Sequence, residues 1–304
     1  MIRPKPLRKG DRIGLIATSS PVKEDRIEPS IKAMEDLGLE VVLGESCRGY
    51  HGFLSGSDEL RANDINKMFK DKSIKGIFVI RGGYGAARIL DMIDYDMIKK
   101  NPKVFVGYSD VTALHNIFNE KCKLITYHAP MPSTELYKGI DDYTMEYLKK
   151  NIFSDEPLGI LRNPEGQEIK TLVSGNAEGK LVGGNLSLVV SSLGTSYEIN
   201  TKGKILFLED VDERPYKIDR MLIQLKQSGK FKDAAGIILG AWTNCEAKEG
   251  DNSLNLMEVF EELIKPENKP TIYNLICGHC LPTISIPLGS KAIINGDKSE
   301  IIIL

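Results

Sequence analysis

Ser109 stands where an apolar run, Val104-Phe105-Val106-Gly107, gives way to a helical pattern over residues 111–119. A serine there projects from the carboxyl edge of a buried strand, where α/β folds place their ligands. It also sits at a helix start, whose free N–H groups can stabilise a developing negative charge. The order Gly107-Tyr108-Ser109-Asp110-Val111 has the shape of a nucleophile elbow, with Val111 in the place of its last glycine. The same position suits a helix cap, a common use of serine.

A serine nucleophile needs a base, and a base needs an orienting carboxylate. The chain has four histidines: His51, His115, His128 and His279. His279 is favoured because Gly278-His279-Cys280-Leu281-Pro282 forms a loop just past an apolar strand, where functional residues concentrate. The carboxylate is sought in Leu208-Glu209-Asp210-Val211-Asp212-Glu213, where an apolar strand runs directly into acids and Glu209 comes first. That cluster also reads as a divalent-cation site or as a solvated acidic turn.

Arg81-Gly82-Gly83-Tyr84-Gly85 ends another apolar strand. Its glycines permit positive φ and let a ligand approach backbone amides, so an oxyanion-hole donor and a plain glycine turn both fit. Neither G-x-x-x-x-G-K-[ST] nor a full G-x-G-x-x-G is present, which weighs against nucleotide binding. Cys277 and Cys280 have the spacing of a redox pair or half a zinc site. No second pair accompanies them, so two structural thiols beside His279 are expected.

These residues need a frame. Apolar strand patterns over 12–19, 41–43, 76–80 and 104–107 alternate with helical ones over 28–37, 58–69, 86–93 and 111–119. Strands apolar on both faces imply a mostly parallel sheet covered by helices. Ser57 is the expected cap of the second helix. The polar stretch 154–174 reads as a linker between an N-terminal α/β domain over 1–153 and a smaller, β-rich C-terminal domain over 175–304. Strands are expected there over 179–182, 204–208, 236–239, 271–277 and 291–303, broken by helices over 218–227 and 254–264.

Bulk properties narrow the classes. The 304 residues carry a net charge of −2, with no basic surplus to neutralise phosphates, so nucleic acid is not an expected partner. The apolar run 13–17 is too short for export or a membrane span, and five cysteines fit no disulfide framework. A cytoplasmic protein with no membrane partner is expected.

Together the segments resemble the LD-carboxypeptidase family of serine peptidases, which includes muramoyltetrapeptide carboxypeptidases and microcin C self-immunity hydrolases. The resemblance lies in Gly10-Asp11-Arg12-Ile13-Gly14, Arg81-Gly82-Gly83-Tyr84-Gly85, Gly107-Tyr108-Ser109-Asp110, Gly183-Gly184-Asn185-Leu186, Phe207-Leu208-Glu209-Asp210, and Gly278-His279 followed by Pro287-Leu288-Gly289. It implies a catalytic triad of Ser109, Glu209 and His279. It also implies an oxyanion hole from N–H groups near Gly83 and Asp110. By position in the chain, Arg81 or Arg88 is expected to hold a substrate carboxylate, with Tyr84 as a further substrate contact. The resemblance further implies no metal or cofactor, a homodimer, and a murein tetrapeptide as substrate. Residues 81–88 look like the murein-recycling branch. The only tryptophan, Trp242, lies past the region where the immunity branch carries one for nucleobase stacking.

Overall fold

A computed structural model describes residues 1–304. Five strands come first: β1 (Arg12–Ile16), β2 (Glu40–Leu43), β3 (Ile74–Val79), β4 (Val104–Gly107) and β5 (Thr126–His128). Next come β6 (Gly159–Ile160), β7 (Lys170–Val173), β8 (Asn176–Asn185), β9 (Ile205–Val211), β10 (Gly236–Thr243) and β11 (Thr271–Tyr273). The last three are β12 (Ile286–Leu288), β13 (Lys291–Asn295) and β14 (Glu300–Ile303).

The chain divides into two compact units, Met1–Glu156 with Ser285–Gly289, and Pro157–Ile284 with Ser290–Leu304. The first unit holds a six-stranded sheet in the order β12-β5-β4-β3-β1-β2. Its first five strands run parallel, and β12 pairs antiparallel with β5. The buried residues of β1, β3 and β4 are those that read as two-faced apolar runs. Their side chains, including Ile13, Leu15, Phe78, Val104 and Val106, build the first core with Met34, Leu148 and Ile152 from covering helices. Each such buried side chain contributes about 1.5–3 kcal/mol. The helix Asp58–Lys70 begins as expected: the Leu60 N–H donates to Ser57 Oγ at 3.2 Å, acids fill the first turn and lysines the last.

In the strand order 2-1-3-4-5 the connection after β1 runs one way along the sheet and those after β3 and β4 run the other. Such a switch point opens a crevice at the carboxyl ends of the strands. The loops after β1, β3 and β4 are therefore the ones placed for function.

The second unit holds an eight-stranded sheet, β6-β14-β13-β8-β9-β10-β11-β7. β8, β9, β10 and β11 run parallel in its middle, flanked by antiparallel strands. Its core gathers Leu206, Leu208, Ile237 and Leu239 from the strands with Ile218, Leu222, Val259 and Phe260 from two helices. The stretch 154–174, expected as a linker, differs: from Pro157 it belongs to the second unit and carries β6 and β7. Both are outermost strands with half-exposed side chains, so their sequence is as polar as a loop's. No helix is long and apolar enough to cross a membrane.

Candidate active site

β4 ends at Gly107, and Tyr108 continues in extended backbone at φ −157°. Ser109 then turns into the left-handed region at φ +65° and opens a 3-10 turn, Ser109–Val111, that feeds the helix Thr112–Ile117. For a residue with a Cβ this conformation costs about 1–2 kcal/mol. Neither the 3-10 turn nor the helix after it has a side-chain cap, so Ser109 is not there as one. The backbone instead lifts its hydroxyl off the strand end at a helix start.

The glycine loop after β3 packs against this turn. A Cβ on Gly82 would lie 2.9 Å from Ser109 Cβ and 3.1 Å from its Oγ. Gly83 sits at φ +116°, and a Cβ there would come within 2.3 Å of Ser20 Oγ. Only glycine fits where the loop passes this close to Ser20. The loop after β1 braces it: the Ser20 N–H donates to Gly82 O at 3.4 Å and the Tyr84 N–H to Ser20 Oγ at 3.1 Å. That loop, Thr18-Ser19-Ser20-Pro21, reads from sequence as a mere turn. Its place after the switch-point strand is the signal that marks it as functional.

The first unit thus gathers Ser109, Asp110, Gly83, Arg81 and Tyr84 on adjacent loops. Arg81 Nη1 donates to Pro21 O at 2.9 Å, and burial lowers its pKa, with Arg26 adding to the effect. Arg88 forks onto Asp58, its Nη2 2.7 Å from Oδ2 and its Nε 3.0 Å from Oδ1. Tyr84 is 54% exposed, its ring edge-on to Phe53 with centroids 5.5 Å apart.

Glu209 and His279 meet in the second unit. Glu209 lies on β9, fully buried, and its Oε2 is 2.7 Å from His279 Nδ1 and 3.3 Å from the His279 amide, which donates to it. With Nδ1–H donated to the carboxylate, Nε2 carries the basic lone pair. Two more contacts fix the histidine loop. Thr243 Oγ1 donates to His279 O at 2.6 Å, and Gly278, at φ +131°, leaves no room for a Cβ, which would lie 2.5 Å from Glu209 Oε2. Glu209 Oε1 is buried without a hydrogen-bond partner.

The acids after Glu209 scatter. Successive strand residues point to opposite faces, so Asp210 turns away and accepts from Asn185 Nδ2 at 2.9 Å and Ser187 Oγ at 2.8 Å. Asp212 accepts from Asn244, and Glu213 pairs with Lys217. No three His, Cys, Asp or Glu side chains gather in metal-binding geometry. Cys277 and Cys280 are unbridged thiols, both raised in pKa by burial, Cys280 to about 11. The other histidines lie elsewhere: His51 is on an exposed loop and His128 is buried in β5. His115 is fully buried, its Nε2 2.8 Å from Gly107 O, and burial pushes its pKa down to about 4.

Comparison with known proteins agrees along the whole chain. The LD-carboxypeptidase N-terminal domain matches residues 13–129 and the LD-carboxypeptidase C-terminal domain residues 178–294. A probable murein peptide carboxypeptidase of Bacillus subtilis is 42% identical over 303 residues, 99% of this chain and 94% of its own. The crystal structure of an MccF-like protein from Bacillus anthracis superposes with TM-score 0.88 at 31% identity, covering 100% and 99% of the two chains. That of muramoyltetrapeptide carboxypeptidase from Oxalobacter formigenes gives 0.84 at 26%, covering 96% and 97%. With both domain profiles matched in order, the chain belongs to the LD-carboxypeptidase family.

Proposed function

We propose that this protein is a serine carboxypeptidase that releases terminal D-alanine from murein tetrapeptides by cutting the L,D amide bond, with Ser109, Glu209 and His279 as its triad. The observation that carries the chemistry is Ser109 at φ +65° on a strand end. The Glu209–His279 hydrogen bond of 2.7 Å supports its partners, and the relatives' names support the substrate.

His279 Nε2 takes the Ser109 proton as Oγ attacks the carbonyl carbon of the third peptide residue. The oxyanion is received by the N–H groups of Gly83 and Asp110, each such donor being worth about 3 kcal/mol. Imidazolium, steadied by Glu209, returns the proton to the departing D-alanine nitrogen. His279 then deprotonates water, which attacks the acyl carbon and frees tripeptide and serine. Tyr84 is exposed beside the glycine loop and serves as a substrate contact. Arg81 serves as a carboxylate clamp through the guanidinium donors that Pro21 does not take. The protein works as a cytoplasmic homodimer without metal or cofactor.

The test is D-alanine release from a murein tetrapeptide by the purified protein and by Ser109→Ala. Release by the former and none by the latter is expected; equal release overturns the triad. The likeness to an MccF-like protein favours a second reading, hydrolysis of an aminoacyl-nucleotide conjugate. Faster turnover of such a conjugate than of tetrapeptide selects it.

A further inference from the structure

Two buried charged side chains in the first unit have no part in the mechanism above. The Asp110 carboxylate, one residue past Ser109, is 1% exposed. Its Oδ2 accepts from Ser19 Oγ at 2.6 Å and from the Ala86 N–H at 2.7 Å. The Arg61 guanidinium is wholly buried and donates to Thr18 O, to Gly85 O at 2.8 Å and to Asp58. Buried charges of this kind are costly, and apolar side chains of similar size often replace them without loss of stability. The geometry gives them a different use.

The glycine loop cannot fix its own shape. Gly82, Gly83 and Gly85 have no side chains to lock, and two of them sit at positive φ. Its conformation must be imposed from outside. Ser20 holds its beginning and middle, and Asp110 and Arg61 hold its end, through Ala86 N–H and Gly85 O. Both charged groups also grip the loop after β1, at Ser19 and Thr18. Asp110 itself is part of the turn that carries Ser109.

We propose that Asp110 and Arg61 form a buried clasp joining the loops after β1, β3 and β4, and that the Asp110 carboxylate is the positioning residue that sets the Gly83 N–H against Ser109. This rests on the reading of Ser109 as nucleophile. Burial pushes the Asp110 carboxyl toward its neutral form; the bonds from Ser19 and the Ala86 N–H work against that shift, and the Arg61 charge adds a smaller effect in the same sense. The clasp acts on the transition state and not on substrate binding, because a displaced donor is felt where the oxyanion forms.

The experiment combines amide hydrogen exchange with steady-state kinetics on the full chain and Asp110→Asn. Exchange over residues 82–86 is expected to quicken about 10-fold, with the helix Leu256–Leu263 of the second unit unchanged. The kcat for D-alanine release is expected to fall about 10- to 100-fold, with KM within about 2-fold. Ser19→Ala removes one bond of the clasp and should act in the same direction, more weakly. The double variant should be no worse than Asp110→Asn alone. Should Asp110→Asn fail to fold, Ser19→Ala carries the test. Unchanged exchange over 82–86, a loss spread evenly over the chain, or quicker exchange with unaltered kcat overturns the clasp. A wild-type protein inactive on tetrapeptide, with exchange still responding, would sink the substrate reading and leave the clasp standing.

Discussion

The two units hold the proposed nucleophile and its proposed partners by opposite means. In the first, the strain sits on the reactive residue itself: Ser109 is left-handed, and a glycine flanks it at van der Waals range. In the second, Glu209 lies on a regular strand, and the left-handed residue is a glycine, Gly278, which has no Cβ to strain. A nucleophile must be presented at one angle, and backbone geometry does that. A base must keep its proton on one nitrogen, and a short hydrogen bond donated to a buried carboxylate does that.

The largest effect that sharpens this contrast belongs to the second unit. Glu209→Gln keeps the shape but removes the charge and turns an amide toward Nδ1, so kcat should fall about 10⁴-fold with the fold intact. Circular dichroism beside D-alanine kinetics checks it. A loss under tenfold would mean the carboxylate does not orient His279.

Acid should undermine the first unit. His115 props the end of β4 through Gly107 O and stays neutral in the folded protein down to about pH 4. Unfolded, it binds a proton near its ordinary value of about 6.5, so the unfolded chain holds more protons between those values. Stability is therefore lost as pH falls through that window, by about 3 kcal/mol at most. Urea unfolding from pH 7 to pH 4 should show a steeper loss for wild type than for His115→Gln; parallel losses would remove His115 as the cause.

Gly82→Ala probes the packing against Ser109. The added methyl must push Ser109 aside, and a displacement of that size should cost about 100-fold in kcat. Unchanged kinetics would show that the turn yields freely. The smallest effect is on stability alone. Ser109→Gly relieves the left-handed strain that Ser109→Ala keeps, and should unfold about 1 kcal/mol later than the alanine variant. Equal urea midpoints would show that the turn stores no strain.

Much of this was legible in the sequence where burial follows local pattern. The apolar runs that became β1, β3 and β4, and the Ser57-capped helix, carry their structure in neighbouring residues. Elements set by distant partners were not. β6 and β7 are as polar as loops, and β12 contains Pro287 and is a strand because β5, far back in the chain, receives it. Glu209 stood first in an acidic run. Strand alternation, which turns Asp210 to the other face, separates the two only once the strand is seen to continue to Val211. The burial of the Asp110 and Arg61 side chains was invisible, because burial of a charge is decided by tertiary packing, and nothing in their neighbours announces it.

The most direct measurement is to treat the wild-type protein and Ser109→Ala with a serine-directed phosphonate and map the adduct by peptide mass. A single adduct on Ser109 in the wild type, and none in Ser109→Ala, is the expected result. An adduct on another residue, or equal labelling of the alanine variant, would contradict Ser109 as the nucleophile.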